Sequence, residues 1–315
     1  MSQHTHSHHH HGHVHFDAAA ADTSRTRLYV ALGLILALMA GELTVGVVAH
    51  SLALLSDAGH MLTDAAAIAL ALLALRLAAR PAGGMLTFGL RRVEILSAQA
   101  NGVTLVVLAA FVTYEAIHRL VDPPHVRAGL VLALALAGAV VNLAASAILA
   151  GADRRSLNIE GSYQHILTDL FGFLGTAVAA GVILATGFRR ADPIVSLLIA
   201  GLMVRSGVGL LLASGRVFLE AAPDGLDPEA VGRALVAEPG VIEVHDLHVW
   251  EVTSGFPALS AHVLVGSDSD CHAARRAMEA MLHERFGLDH TTLQVDHEGG
   301  DLLSIAPIGA GGEQT

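Results

Sequence analysis

Residues 128–150 read AGLVLALALAGAVVNLAASAILA, a run of 23 residues that contains no charged side chain. A helix needs roughly 20 consecutive apolar residues to cross the hydrocarbon core of a bilayer, so this stretch is long enough to span a membrane. Five other segments have similar length and apolar character: residues 28–49, 52–79, 93–120, 162–188 and 193–213. The sequence therefore predicts an all-α membrane domain of six transmembrane helices.

The composition of the whole chain agrees with a membrane protein. Of its 315 residues, 53% are hydrophobic and only 15% are charged, and the mean hydropathy is +0.57. A typical soluble domain carries about 25% charged residues. We therefore expect the lipid bilayer to be the surroundings of much of this chain.

Charge is distributed unevenly along the sequence. From residue 222 onward, sixteen acidic side chains stand against four arginines, whereas the first 221 residues hold thirteen acidic side chains and fourteen arginines. The C-terminal part is therefore acidic and reads as soluble. An acidic domain argues against nucleic acid as a partner, because binding to phosphates requires cations, and it suits a domain that handles metal cations.

Arginine determines the predicted orientation in the membrane, since the chain has no lysine. Eight arginines lie on the N-terminal flank and in the second and fourth loops, and four lie on the opposite side. Short cytoplasmic loops carry an excess of positive charge. We therefore expect a multi-pass protein of a plasma membrane, the bacterial inner membrane, with both termini in the cytoplasm.

The sequence predicts four regions. Residues 1–26 form a disordered cytoplasmic tail, because eight of the first fifteen residues are histidine and cannot build a core. This composition suits a natural metal-attracting tail, and an expression tag is the alternative. Residues 27–221 form the six-helix transport domain, residues 222–298 a cytoplasmic regulatory and dimerisation domain, and residues 299–315 a flexible C-terminal tail.

The cytoplasmic region shows an alternation of helix and strand signals. Asp227 is a candidate N-cap with proline at the first position of a helix over residues 227–238. Strands follow at residues 241–252 and 258–265, then an amphipathic helix at 270–286 and a strand at 291–296. The order α-β-β-α-β predicts a small two-layer α+β domain.

Two of the predicted spans contain the same pair of ionisable residues. His60 and Asp64 lie in the second span and His165 and Asp169 in the fifth, each as His-x-x-x-Asp. This spacing places both side chains of a pair on one helix face. Each pair could be a private hydrogen bond, but a mid-membrane carboxylate costs about 2.5–3.5 kcal/mol. Its repetition favours one metal site, with two imidazoles and two carboxylates as a tetrahedral set for Zn²⁺.

Three functions remain open at this point: a transporter, an intramembrane zinc hydrolase and a metal sensor without transport. A catalytic zinc usually keeps three protein ligands and one open position, and the sequence has no His-Glu-x-x-His motif. A sensor does not explain ligands placed in mid-span. We therefore expect a secondary active transporter and not an enzyme, with no catalytic residue and no prosthetic group. Zn²⁺ is the expected substrate, and Cd²⁺, Co²⁺ and Ni²⁺ are further candidates.

Residues 51–64, SLALLSDAGHMLTD, resemble the second span of the cation diffusion facilitator family. The fifth-span motif, residues 191–194 (ADPI) and residues 245–250 (HDLHVW) are similar to the zinc-exporter branch of that family. The resemblance covers residues 27–298. It implies a homodimeric Zn²⁺/H⁺ antiporter that exports zinc by alternating access, with a ferredoxin-like, metallochaperone-like cytoplasmic domain. His60, where some members have Asp, resembles the zinc-selective subgroup.

The resemblance also implies metal sites outside the membrane. Some members bind a regulatory metal at positions matched here by His245, His262, His272 and Asp296. The alternative is ordinary strand polarity for the first of these and an exposed helix position for His272. Gln294 stands where some members have a further histidine, so we expect at least one such site to be incomplete. Leu86 replaces a histidine that many members carry between the second and third spans, and no metal is expected there.

Overall fold

The computed structural model describes residues 18–48, 52–123 and 127–298. Of the two predicted tails, residues 1–17 and 299–315 lie outside the described residues. Residues 18–26, which the sequence assigned to the disordered N-terminal tail, instead form the beginning of a helix that runs from Ala18 to Val48. The chain divides into two compact units, one formed by Met1–Leu219 with Val252–Gly255 and the other by Glu220–Glu251 with Phe256–Thr315.

Six long helices form the first unit: α1 (Ala18–Val48), α2 (Leu52–Ala78), α3 (Val93–Val121), α4 (Ala128–Ala150), α5 (Leu157–Thr186) and α6 (Ala191–Phe218). Among the described residues, five of them (α1, α3, α4, α5 and α6) contain segments long and apolar enough to cross a membrane by length and composition. The 27-residue α2 is the sixth long helix. The predicted all-α membrane fold is confirmed.

Helix α5 begins five residues before the predicted start of its span. Ser156 caps its N-terminus, and the Ser156 Oγ accepts a hydrogen bond from the N–H of Ile159 at 3.3 Å. The first turns carry Asn158 and Glu160, whose polarity hid this part of the helix from a search for apolar runs. The cap and the backbone hydrogen bonds that follow it stabilise the helix here, although these side chains are polar.

The first unit contains two separate apolar cores. One is built from α1, α2, α4 and α5, with Leu28, Met61, Ile68 and Leu149 fully or almost fully buried. The other joins α3 to α6. Gly102 and Gly207 bring these two backbones together, since a Cβ added to Gly207 would lie 2.8 Å from the carbonyl oxygen of Gly102. Small residues permit such close approach between membrane helices.

The second unit has the predicted α-β-β-α-β order. Its elements are α7 (Pro228–Val236), β1 (Val241–Thr253), β2 (Phe256–Val265), α8 (Cys271–Phe286) and β3 (His290–His297). The sheet order is β1-β2-β3, and β3 runs parallel to β2, because α8 carries the chain back to the other end of the sheet. Both helices share one core with all three strands, which confirms the α+β prediction.

Aspartate side chains cap both helices of the second unit. Asp227 accepts from the N–H of Glu229 at 3.0 Å, with Pro228 at the first helical position as predicted. Asp270 accepts from the N–H groups of His272 and Ala273 at 2.9 and 3.0 Å. These bonds satisfy donors that a helix N-terminus otherwise leaves without partners.

Candidate metal centre

Helices α2 and α5 bring together three of the four predicted intramembrane ligands. His165 Nε2 lies 2.8 Å from Asp64 Oδ1 on α2 and 3.7 Å from Asp169 Oδ2 on its own helix. One ligand atom from each residue lies within 4.8 Å of the others. The three side chains therefore converge from two helices on a volume the size of one metal ion.

This cluster is enclosed by protein. His165 is 2% exposed and Asp64 is 5% exposed, and the Asp169 side chain is 13% exposed. Two carboxylates placed so close together in apolar surroundings repel one another and are costly without a compensating cation. A bound divalent metal ion supplies this positive charge. Protonation of the imidazole to imidazolium supplies it as well.

The hydrogen bond between His165 Nε2 and Asp64 Oδ1 requires one proton between these two atoms. An ionised carboxylate only accepts, so with Asp64 charged it is Nε2 that carries the hydrogen and donates to Oδ1. Nδ1 of the same ring has no hydrogen-bond partner in the described part of the chain. A metal ion bound at Nε2 would have to displace the proton that forms the bond to Asp64.

The fourth predicted ligand, His60, lies on α2 one turn before Asp64. Its side chain lies outside the described residues. The structure thus describes the positions of Asp64, His165 and Asp169, and the helical backbone alone at residue 60.

A second group of possible metal ligands lies in the C-terminal unit. His245 and His262 face each other with ring centroids 5.3 Å apart, and together with Asp246 they offer ligand atoms within 4.8 Å of one another. The two histidines come from neighbouring strands, β1 and β2. All three side chains are at least partly exposed, so a metal ion could reach them from solvent.

Asp246 was not predicted as a ligand. Strict alternation along a strand puts neighbouring residues 245 and 246 on opposite faces of the sheet. Asp246 has a φ of 50°, in the left-handed region, which interrupts that alternation and lets both side chains join one cluster. Aspartate tolerates this conformation better than most residues. Its position directly after His245 is the sequence feature that could have indicated it as a further ligand.

The other two predicted cytoplasmic ligands lie elsewhere in the second unit. His272 is at the start of α8, where its backbone N–H donates to Asp270. Asp296 is on β3, and its Oδ2 accepts from Gln294 Nε2 at 2.9 Å. Among the described residues, neither belongs to the 4.8 Å cluster formed by His245, Asp246 and His262.

Two family models match the sequence. A model described as the cation efflux transmembrane domain matches residues 28–219, and one described as the cation efflux protein, cytoplasmic domain, matches residues 223–298. Together they cover both structural units.

The chain is also similar to characterised transporters. It is 37% identical over 257 residues to a cadmium, cobalt and zinc/H(+)-K(+) antiporter of Bacillus subtilis, covering 80% of this chain and 83% of the relative. It is 37% identical over 279 residues to the zinc transporter ZitB of Escherichia coli, covering 88% and 89%. A solved metal-bound C-terminal domain of the CzcD transporter aligns with 22% of this chain and 99% of that domain, at 32% identity and a TM-score of 0.22.

Proposed function

Because the chain belongs to the cation efflux family, in the zinc branch of the cation diffusion facilitators, we propose that it exports cytoplasmic Zn²⁺ in exchange for protons at His60, Asp64, His165 and Asp169. Family membership makes it a multi-pass divalent-metal transporter and not an enzyme. The buried cluster of Asp64, His165 and Asp169 carries the finer proposal.

The ligand types favour zinc. Two imidazole nitrogens and two carboxylate oxygens form a tetrahedral set that Zn²⁺ accepts at about 2.0–2.2 Å, and imidazole suits zinc better than it suits hard, oxygen-seeking ions. The Bacillus subtilis relative is named for cadmium and cobalt as well as zinc. We therefore propose Cd²⁺, Co²⁺ and Ni²⁺ as secondary substrates, because similar ligands bind them in the order of general affinity.

The hydrogen bond between His165 and Asp64 supports the proposed proton exchange. Metal ligands must be deprotonated, so an arriving ion expels the Nε2 proton and a returning proton expels the ion. Histidine is suited to this exchange near neutral pH. Exposing the site to each side of the membrane in turn, by movement of the helix bundle, would convert an inward proton flow into an outward zinc flow.

The remaining architecture is part of the same proposal. We place both termini in the cytoplasm of a bacterium and divide the chain at residues 26/27, 221/222 and 298/299. The C-terminal domain would dimerise the transporter and respond to zinc through His245, Asp246 and His262. His272 and Asp296 would contribute to a further cytoplasmic site. The histidine-rich tail would raise the local zinc concentration.

Zinc flux into proteoliposomes with an imposed pH gradient tests the transport proposal. Asp169→Asn should abolish gradient-driven flux. Asp192→Asn is the matched control, since this carboxylate lies on α6 within 3.7 Å of Arg119 and outside the cluster. Flux that persists unchanged after collapse of the pH gradient would contradict proton coupling, and wild-type flux carried equally well by Asp169→Asn would contradict the assigned site.

A further inference from the structure

Helices α2 and α5 are joined by a second polar contact besides the metal cluster. Asn158 Nδ2 on α5 donates to the backbone carbonyl oxygen of Ala71 on α2 at 2.9 Å. Asn158 precedes His165 by seven residues, and Ala71 follows Asp64 by seven residues. Seven residues are about two helical turns, or roughly 10 Å. The two antiparallel helices are therefore linked at two points on one contact face, and the two points are seven residues apart on each helix.

The Asn158 amide is completely buried. Asn158 and Ala71 are both 0% exposed, so water does not compete for this bond. The donor must be the amide nitrogen, because a backbone carbonyl only accepts. Oδ1 has no hydrogen-bond partner in the described part of the chain. Among the described residues, the side-chain amide is therefore held by its bond to the Ala71 carbonyl on α2.

A second buried asparagine, on α4, is satisfied in a different way. Asn142 on α4 is 3% exposed, and its Nδ2 donates to the carbonyl of Gly138 one turn back on its own helix at 3.0 Å. Polar side chains in apolar helices commonly satisfy themselves in this way. Asn158 instead reaches across to the helix that carries Asp64.

We propose that Asn158 is a positioning residue of the transport site, fixing the axial register between α2 and α5. This inference rests on the proposed function of the Asp64–His165–Asp169 cluster. A slip of one residue moves a helix by about 1.5 Å along its axis, whereas metal–ligand distances must hold to about 0.2 Å. Ligands supplied by two helices consequently need a register that is set before the ion arrives.

The register must also survive the departure of the ion. A transported metal is absent for part of every cycle, so it cannot be the permanent link between the two helices. The bond from Asn158 to Ala71 involves neither metal nor titratable group. It therefore holds whether the cluster binds zinc or protons, and returns His165 and Asp169 to the same height beside Asp64 in each cycle.

Other contacts at the start of α5 hold it to different helices. Ser156 Oγ donates to Glu94 on α3, and the N–H of Asp153 donates to Ser24 Oγ on α1 at 3.1 Å. These bonds fasten the connection between α4 and α5. They do not reach α2. Beside the apolar packing that α2 and α5 share, Asn158 supplies a directional bond between the two helices near their cytoplasmic ends.

The test compares Asn158→Ala with Asn142→Ala in full-length protein reconstituted into vesicles. Both changes remove the same atoms from a buried site on a membrane helix, but only the first removes a bond between α2 and α5. Ala71 keeps the helical bonding of its carbonyl, so Asn158→Ala should fold. We expect its KM for zinc to rise about 10- to 100-fold, the usual cost of losing a group that orients metal ligands, with KM in Asn142→Ala close to that of wild type.

A general loss of stability gives a different pattern. It would lower Vmax and the yield of folded protein while leaving KM unchanged in the molecules that remain active. Equal KM values for the two variants would overturn the inference, as would failure of Asn158→Ala alone to fold, because a fold-wide role would then replace a local one. Absence of zinc flux in wild type would overturn the proposed function instead.

Discussion

His165 Nε2 lies closer to Asp64, on another helix, than to Asp169, its partner in the His-x-x-x-Asp motif, at 2.8 Å against 3.7 Å. The histidine of the motif therefore bonds to the neighbouring helix and not to the aspartate of its own motif. Each helix supplies part of a shared cluster, and the contact between helices is the tighter one.

The first prediction concerns that contact. Asp64→Asn keeps the shape of the side chain but removes its charge, so the cluster loses one of its two described carboxylates. Loss of a group that only orients ligands costs about 10- to 100-fold in metal affinity or activity, and a direct ligand should cost at least as much. Zinc flux should fall at least about 100-fold, measured in vesicles against Asp192→Asn. Flux within a few-fold of wild type would contradict a ligand role for Asp64.

The second prediction concerns the close approach of α3 and α6. A Cβ at Gly207 would lie 2.8 Å from the carbonyl oxygen of Gly102 and 2.8 Å from a methyl of Val106, so Gly207→Ala must push the helices apart. Overpacking of this kind typically costs about 1–3 kcal/mol. The melting temperature in detergent should fall for Gly207→Ala. Gly209→Ala on the same helix meets nothing within 4 Å, and an equal fall there would remove the steric explanation.

The third prediction concerns the cap of α8. Hydrogen bonds from the backbone N–H groups of Ala273 and His272 hold the pKa of Asp270 below its ordinary value of 3.8. A lowered folded-state pKa means that the charged cap stabilises the fold above pH 3.8 and loses this effect as the pH falls through the folded value.

Asp270→Asn separates capping from charge. Asparagine also caps helices but does not titrate, so its melting temperature relative to wild type should rise as the pH falls below 3.8. Melting curves of the full-length protein between pH 3 and pH 6 provide the measurement. A difference between the two proteins that stays constant across this range would show that ionisation of Asp270 does not contribute.

The fourth prediction concerns the cluster on β1 and β2. His262→Ala removes one of its two imidazoles, so the chain should bind about one zinc ion fewer, measured by equilibrium dialysis. Transport at saturating zinc should continue, because the intramembrane ligands are intact. His283→Ala is the matched control, since this exposed histidine pairs with Asp289 outside the cluster. Unchanged zinc stoichiometry in His262→Ala would exclude metal binding at this place.

Much of this arrangement could be predicted from the sequence. Apolar runs such as residues 128–150 indicate membrane helices directly, because the length requirement of the bilayer is strict. The repeated His-x-x-x-Asp indicated the cluster on α2 and α5, since helical periodicity decides which side chains share a face. Asp227 and Pro228 marked the start of α7 in the same local manner.

The contributions of Asp246 and Asn158 could not be predicted in this way. Asp246 joins its cluster through a positive φ, which strand alternation does not anticipate. Asn158 acts through a bond to a backbone carbonyl 87 residues away, and a carbonyl has no sequence signature because every residue carries one. Contacts of this kind depend on how two helices come to lie side by side, which local patterns do not specify.

The close approach of Gly102 to Gly207 has a mechanical consequence. At this contact the two backbones face each other with no Cβ atom on either glycine, and the side chains of Leu105, Val106 and Leu210 lie close around them. Sliding or rolling of α3 against α6 would therefore meet steric resistance from backbone and side chains alike. We expect these two helices to move together as one rigid body. Helices α1, α2, α4 and α5 share a core of their own. We expect this second group of helices to be the part that moves during transport, carrying the proposed zinc ligands on α2 and α5.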